Sequence, residues 1–264
     1  MPTPSPTVPP HARRAPVFLP KEHGSWSLAL EPLALGLIAA PSVAGGALAV
    51  ATMAAFFARR PLTAFLAAGE TASRPGTIPA GLLLVACSVA GFATAAVTGG
   101  LAPLWPLLLA APCGALFFHF DRQNDARAAA AEIAGGTAFA LLPAALATLA
   151  GWPAPAALGL AAIMLARTLP TILTVRTCLR LNKRQPARPL LPVAAAGTAF
   201  AGLVFLAADS LVPWIAAGGA LLLFGRTVLF VSPWRPVWPA RRIGLTEAVL
   251  GLFFVAITAL ACRN

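Results

Sequence analysis

Charge is what this chain has least of. Only 10% of its 264 residues are charged, where a soluble domain carries roughly 25%. Acidic residues are scarcer still, 8 Asp and Glu against 19 Lys and Arg. So little polar surface excludes a water-soluble globular domain of this size. Regular alternation of apolar and polar residues is also missing, which excludes a membrane β-barrel, whose strands alternate lipid-facing and lumen-facing positions. The 4 cysteines (Cys87, Cys113, Cys178 and Cys262) stand singly, with no Cys-x-x-Cys and no Cys/His spacing. Neither a zinc site nor a disulfide framework follows, and they read as helix-packing residues. The net charge of +11 comes with no zinc-finger, RNA-recognition or helix-turn-helix pattern, so nucleic acid is not an expected partner.

What the chain does have is apolar length. Hydrophobic residues make up 59% of it and mean hydropathy is +0.82. Apolar stretches alternate with short polar islands, at a spacing that matches the roughly 20 helical residues needed to cross a bilayer core. The 26 Pro and 22 Gly would break many soluble helices, but both are frequent in membrane-spanning ones. The expected fold is all-α, a polytopic transmembrane bundle of about nine helices. The spans fall roughly at 24–40, 42–58, 78–98, 101–119, 129–150, 154–173, 190–208, 211–229 and 244–262. The sixth is expected to run on as a helix into the basic segment that follows.

Residues 1–20, rich in Pro and carrying His11, Arg13 and Arg14, read as a disordered cytoplasmic tail. Residues 21–264 read as a single transmembrane helical domain. A cleaved signal peptide fits poorly, because Glu31-Pro32 interrupts the apolar run from Leu28 to Ala40.

Basic residues are strongly segregated. The tail holds Arg13, Arg14 and Lys21; Arg59, Arg60 and Arg74 follow span two; Arg122 and Arg127 follow span four. Arg176, Arg180, Lys183, Arg184 and Arg188 follow span six, and Arg226, Arg235, Arg241 and Arg242 follow span eight. The connections after spans one, three, five and seven carry no Lys or Arg, and Arg263 alone falls on their side. The positive-inside rule then places the N-terminus and the even-numbered connections in the cytoplasm, facing anionic lipid. A span count wrong by one would have scrambled this partition.

Ionisable groups in an apolar span are costly, so each suggests a function. In Lys21-Glu22-His23-Gly24-Ser25-Trp26 the ordinary reading is helix capping and an interfacial anchor. Glu31, about two turns deeper, does not fit that reading and needs a cation, a proton or a water-filled cavity. If the segment from Asp121 is helical, Asp121, Asp125 and Glu132 project within about 40° of one another, flanked by Asn124 and Arg127. Asp121 and Asp125 would then lie roughly 6 Å apart, close enough to share a hard cation such as Mg²⁺ with a substrate phosphate. An ordinary solvated loop is the plainer reading. Arg176, Arg180 and Arg184 form one cationic helix face, suited to phosphate or carboxylate, or to lipid headgroups. Arg167 lies deeper, and Glu31, Glu132 and Glu247 are its candidate partners. Pro170 loosens the helix beside it. Trp234-Arg235-Pro236-Val237-Trp238-Pro239 reads as an interfacial loop.

Several of these segments together resemble the YwiC-like family of bacterial membrane proteins. They are Lys21 through Trp26, Arg60-Pro61-Leu62, Arg167-Thr168-Leu169-Pro170 with Val175-Arg176 and Leu179-Arg180-Leu181, and Ile243-Gly244 with Glu247. That resemblance implies a multi-pass protein of the bacterial cytoplasmic membrane and brings no established activity. A broader similarity is to UbiA-type intramembrane prenyltransferases, which have nine helices and bind an isoprenoid diphosphate through aspartates and Mg²⁺. This chain departs from them in having basic residues, Arg59-Arg60 and Arg176 through Arg188, where that family carries its aspartates.

Three functions remain open. A Mg²⁺-dependent transferase or hydrolase acting on a lipid diphosphate would use Asp121 and Asp125 for metal. Its substrate candidates are Lys21, Glu22, His23, Glu31, Arg59, Arg60, Asn124, Arg127, Glu132, Arg167, Arg176, Arg180 and Glu247, in a cytoplasm-facing vestibule. A small-ion or proton-coupled transporter would use Glu31, Glu132, Glu247 and Arg167 along a midplane path. A scaffold would only pair its buried ions. An enzyme predicts polar residues gathered in a cytoplasmic vestibule and a transporter predicts them continuing to the outer face; their scarcity in the outer half favours the one-sided, vestibule-type site.

Overall fold

The computed structural model describes residues 23–67, 77–123, 125–126 and 128–263. Among them the regular structure is entirely helical: α1 (His23–Ala39), α2 (Val43–Ala67), α3 (Thr77–Gly99), α4 (Pro106–Arg122), α5 (Ala129–Ala140), α6 (Leu142–Leu149), α7 (Ala154–Asn182), α8 (Leu190–Ala208), α9 (Trp214–Val231) and α10 (Ala240–Ala261). Lipid offers no partner to backbone N–H and C=O groups, and a helix satisfies them within itself. Prolines cluster where they cost least: Pro153, Pro213 and Pro239 stand immediately before α7, α9 and α10, and Pro106 opens α4. Gly100 and Gly151 take positive φ (85° and 86°) in the turns that close α3 and α6.

Helices α5 and α6 follow one apolar path, broken at Leu141 just before Pro143, so the ten helices trace the nine expected segments among the described residues. Six segments are long and apolar enough to cross a membrane: Ile78–Gly99, Ala129–Leu149, Ala154–Asn182, Leu190–Ala208, Trp214–Val231 and Ala240–Ala261. The apolar parts of α1 and α2, Ser27–Ala39 and Val43–Arg59, are shorter. The outward faces are aliphatic, with Val97 85% and Leu222 77% exposed. Apolar surface this extensive is stable only against lipid. The protein is a helical membrane bundle.

Helices α1 and α7 sit at its centre. Helix α1 packs against α2, α5, α6, α7 and α10, and α7 against α1, α5, α6, α8, α9 and α10. Alanine lines these seams, with Ala29, Ala131, Ala144, Ala157 and Ala216 fully buried. Small side chains let membrane helices approach closely enough for dispersion contacts to hold them. The α2–α3 pair comes so close at Gly91 that a Cβ there would lie 2.9 Å from the Ala47 carbonyl oxygen.

The ends of the bundle differ. At one end Arg59 meets Asp121, Arg176 meets Glu132 and Arg235 meets Asn182. The opposite end has short turns, where the Thr148 hydroxyl donates to the Pro103 carbonyl (2.5 Å) and the Gly45 amide donates to Ser42 Oγ (3.0 Å). The described basic residues of these connections therefore gather at one end in space as well as in sequence. Several boundaries differ from expectation. Helix α2 continues through Arg59-Arg60-Pro61 to Ala67 and α10 starts at Ala240, whereas α7 runs to Asn182 as anticipated. Arg226 lies inside α9 rather than after it. The Asp121–Asp125–Glu132 stripe does not form, because α4 stops at Arg122 and α5 starts only at Ala129.

Candidate functional site

Four ionisable side chains from four helices meet inside the bundle. Glu31 comes from α1, Arg167 from α7, Arg226 from α9 and Glu247 from α10. Arg167 is only 3% exposed; its Nε lies 3.5 Å from Glu31 Oε2 and its Nη1 lies 3.4 Å from Glu247 Oε2. Arg167 Nη2 also donates to the Glu247 main-chain carbonyl at 2.6 Å, and its Nη1 donates to the Thr171 hydroxyl. Arg226 Nη2 pairs with the same Glu247 Oε2 at 2.8 Å and donates to Thr171 Oγ1 at 3.0 Å. Two carboxylates and two guanidiniums sum to zero, which is the condition for burying so many charges together.

Local sequence makes room for this arrangement. Glu31 precedes Pro32, and Pro170 follows Arg167 within a turn; each proline leaves a carbonyl of the preceding turn without its helical donor. Gly251 stands one turn beyond Glu247, and a Cβ there would collide with the Glu31 carboxylate and the Arg167 guanidinium. Even so, the cluster is incompletely bonded. Among the described residues, Glu31 Oε1, Glu247 Oε1, Arg226 Nε and Arg226 Nη1 are buried with no hydrogen-bond partner.

A polar seam leads from the cluster to the basic end. Arg167, Thr171, Thr174, Cys178 and Asn182 fall within about 80° of one another on α7, at about 100° per residue. Thr174 Oγ1 lies 3.1 Å from Thr227 Oγ1 of α9, and Arg235 Nε donates to Asn182 Oδ1 at 3.2 Å. Cys178 packs on Phe230 and Ile243 between these two contacts. Toward the opposite end the same helices present Leu35, Leu160, Ile163, Met164 and Val255, all buried and apolar. Among the described residues the polar contacts on α7 thus run from the cluster toward the basic end, and Thr258 of α10 is a buried polar side chain on the other side of it.

Glu31, Arg167 and Glu247, singled out from sequence, are brought together. Glu132 is not part of the group; it pairs with Arg176 at 2.7 Å, where both side chains are about a third exposed (33% and 27%). Arg59 faces Asp121 at 3.5 Å, with its guanidinium 5.0 Å from the Phe117 ring centre. Asp125 and Arg180 are exposed. Among the described residues no group of three or more His, Cys, Asp or Glu is placed to hold a metal ion. Lys21, Glu22, Asn124 and Arg127 lie outside the described residues, and for His23 and Arg60 the backbone alone is described. Sequence reasoning missed Arg226 as a site residue. The signal was available, since it is a charge inside the apolar run Trp214–Val231. Thr171 and Thr227 carried no such signal, because a hydroxyl in a membrane helix can bond its own backbone.

A family model described as YwiC-like protein matches residues 19–147, just under half of the chain. The match spans α1, which supplies Glu31, and ends before the helices that supply Arg167, Arg226 and Glu247. No curated protein and no solved structure matches, so the likeness to UbiA-type prenyltransferases is not borne out.

Proposed function

We propose, for a multi-pass membrane bundle that is YwiC-like over residues 19–147, a proton-coupled transport function centred on Glu31, Arg167, Arg226 and Glu247. The membrane is the bacterial cytoplasmic one, with the N-terminus and the basic end inside. The observation that carries this reading is a neutral charge cluster beside prolines inside two central helices, with carboxylate oxygens lacking a partner among the described residues. A purely structural network is stable when every member is bonded. A half-bonded one at membrane depth is the usual setting of a proton relay or an ion path. The polar seam on α7 gives the site its route to the cytoplasmic end, and the Leu160–Met164 layer closes it toward the other side, as in one state of an alternating-access cycle.

Reconstituted liposomes with an inward pH gradient, in potassium chloride and in potassium lactate, test this by a lumenal pH dye. The expected result is proton entry above the protein-free rate, lost in Glu31→Gln. Entry no faster than in protein-free vesicles would overturn the transport reading.

The basic end favours a second reading, binding or processing of a lipid diphosphate. Arg180, Lys183, Arg184 and Arg188 are exposed there and suit phosphate. Geometry lends less to its Mg²⁺ pair, because Asp121 Oδ2 faces Arg59 and the helix ends before Asp125. A Mg²⁺-dependent thermal stabilisation by geranylgeranyl diphosphate, lost in Asp121→Ala, would favour it over transport.

A further inference from the structure

We propose that the buried site binds a small carboxylate-bearing monoanion at Arg226 and takes up one proton at Glu31 with it. This rests on the transport reading and names its solute class. Arg226 is 10% exposed, and its Nη2 is occupied by Glu247 (2.8 Å) and Thr171 (3.0 Å). Its Nε and Nη1 are buried with no partner among the described residues. The Phe230 ring, 5.7 Å from Cζ, sits beside the guanidinium and leaves those two donors unfilled. A guanidinium has five N–H donors in a planar fork, and the acceptor that matches it best is a planar carboxylate.

The two glutamates are not equivalent. Glu247 Oε2 is shared by both arginines, and its main-chain carbonyl accepts a third bond from Arg167. Glu31 has Arg167 Nε at 3.5 Å and Ser27 one turn earlier on its own helix, while its Oε1 has no partner among the described residues. Glu247 is the fixed counter-charge and Glu31 the proton acceptor. From neighbouring helices, Arg167 of α7 and Glu247 of α10 face Glu31, and Arg226 of α9 reaches it through Glu247. On α5 Glu132 is turned to Arg176, on α2 Arg59 is turned to Asp121, and α6 has no titratable side chain.

Charge then couples the two events. The cluster is neutral as it stands, and an added monoanion would leave a net negative charge buried, which is costly. A proton on Glu31 restores neutrality.

The test is thermal unfolding in detergent with potassium acetate, against potassium chloride at equal ionic strength. Acetate should stabilise the wild type, with an apparent affinity that rises as pH falls, by up to about tenfold per unit for one coupled proton. Glu31→Gln should keep the stabilisation and lose its pH dependence. Arg226→Lys keeps the charge without the planar fork and should lower the affinity at least about tenfold. The proposal is overturned if the wild type shows no acetate-specific shift, or the same shift at about pH 6 and about pH 8. Should Arg226→Lys fail to fold, the wild type and Glu31→Gln still decide. Proton flux in liposomes without an acetate effect would sink this inference alone. Proton-linked acetate binding without flux would sink transport and leave the binding site standing.

Discussion

Arg167 and Arg226 converge on one oxygen of Glu247, so removing that carboxylate leaves two buried cations with only Glu31 to compensate them. Breaking a buried pair on one side costs about 3–5 kcal/mol, because the surviving charge is uncompensated. Glu247→Ala should therefore lower the unfolding midpoint in detergent steeply. Glu132→Gln should cost less than about 1 kcal/mol, since its pair with Arg176 is a third exposed and water already screens it. Equal losses in the two variants would mean that burial does not set the strength of these pairs. Gly251→Ala belongs to the same scale. Its Cβ would meet Glu31 and Arg167, and overpacking of this kind costs about 1–3 kcal/mol. A thermal scan of Gly251→Ala beside Gly244→Ala, whose Cβ meets nothing within 4 Å, separates collision from helix propensity.

At the scale of the element, small residues do the packing and prolines shape the site. Helix α3 faces lipid over most of its surface and is held mainly by α2, where Gly91 lies against Ala47 and Ala51. Gly91→Leu should separate the pair and lower thermal stability. Gly114→Leu on α4, whose Cβ meets nothing within 4 Å, should leave it nearly unchanged. The nine segments were legible in the sequence because a bilayer dictates the length of an apolar run. The ends of α2 and α10 were not. Arg59 and Arg60 mark a membrane boundary by charge, yet nothing in the backbone stops the helix there, and it runs on to Ala67. The break between Arg122 and Ala129 was equally hidden, since a period of 3.6 residues can be drawn through a loop as easily as through a helix.

For the whole molecule, the segregation of basic residues predicts which end faces the cytoplasm. With a membrane-impermeant maleimide on intact cells, Ser210→Cys should label and Arg184→Cys should label only after lysis, each compared with the parent chain. The reverse pattern would invert the molecule and place the polar seam on the outer side. Sequence alone determined the membrane class, the segment count and the expected orientation, because these follow from the cost of moving charge and unbonded backbone into lipid. It also named Glu31 and Glu247 among the partners of Arg167, for the same reason. Sequence had no means of choosing between them and Glu132, or of bringing Arg226 to Glu247. Those contacts join helices far apart along the chain, and only the packing of α1, α7, α9 and α10 around their alanines and Gly251 decided which charges meet.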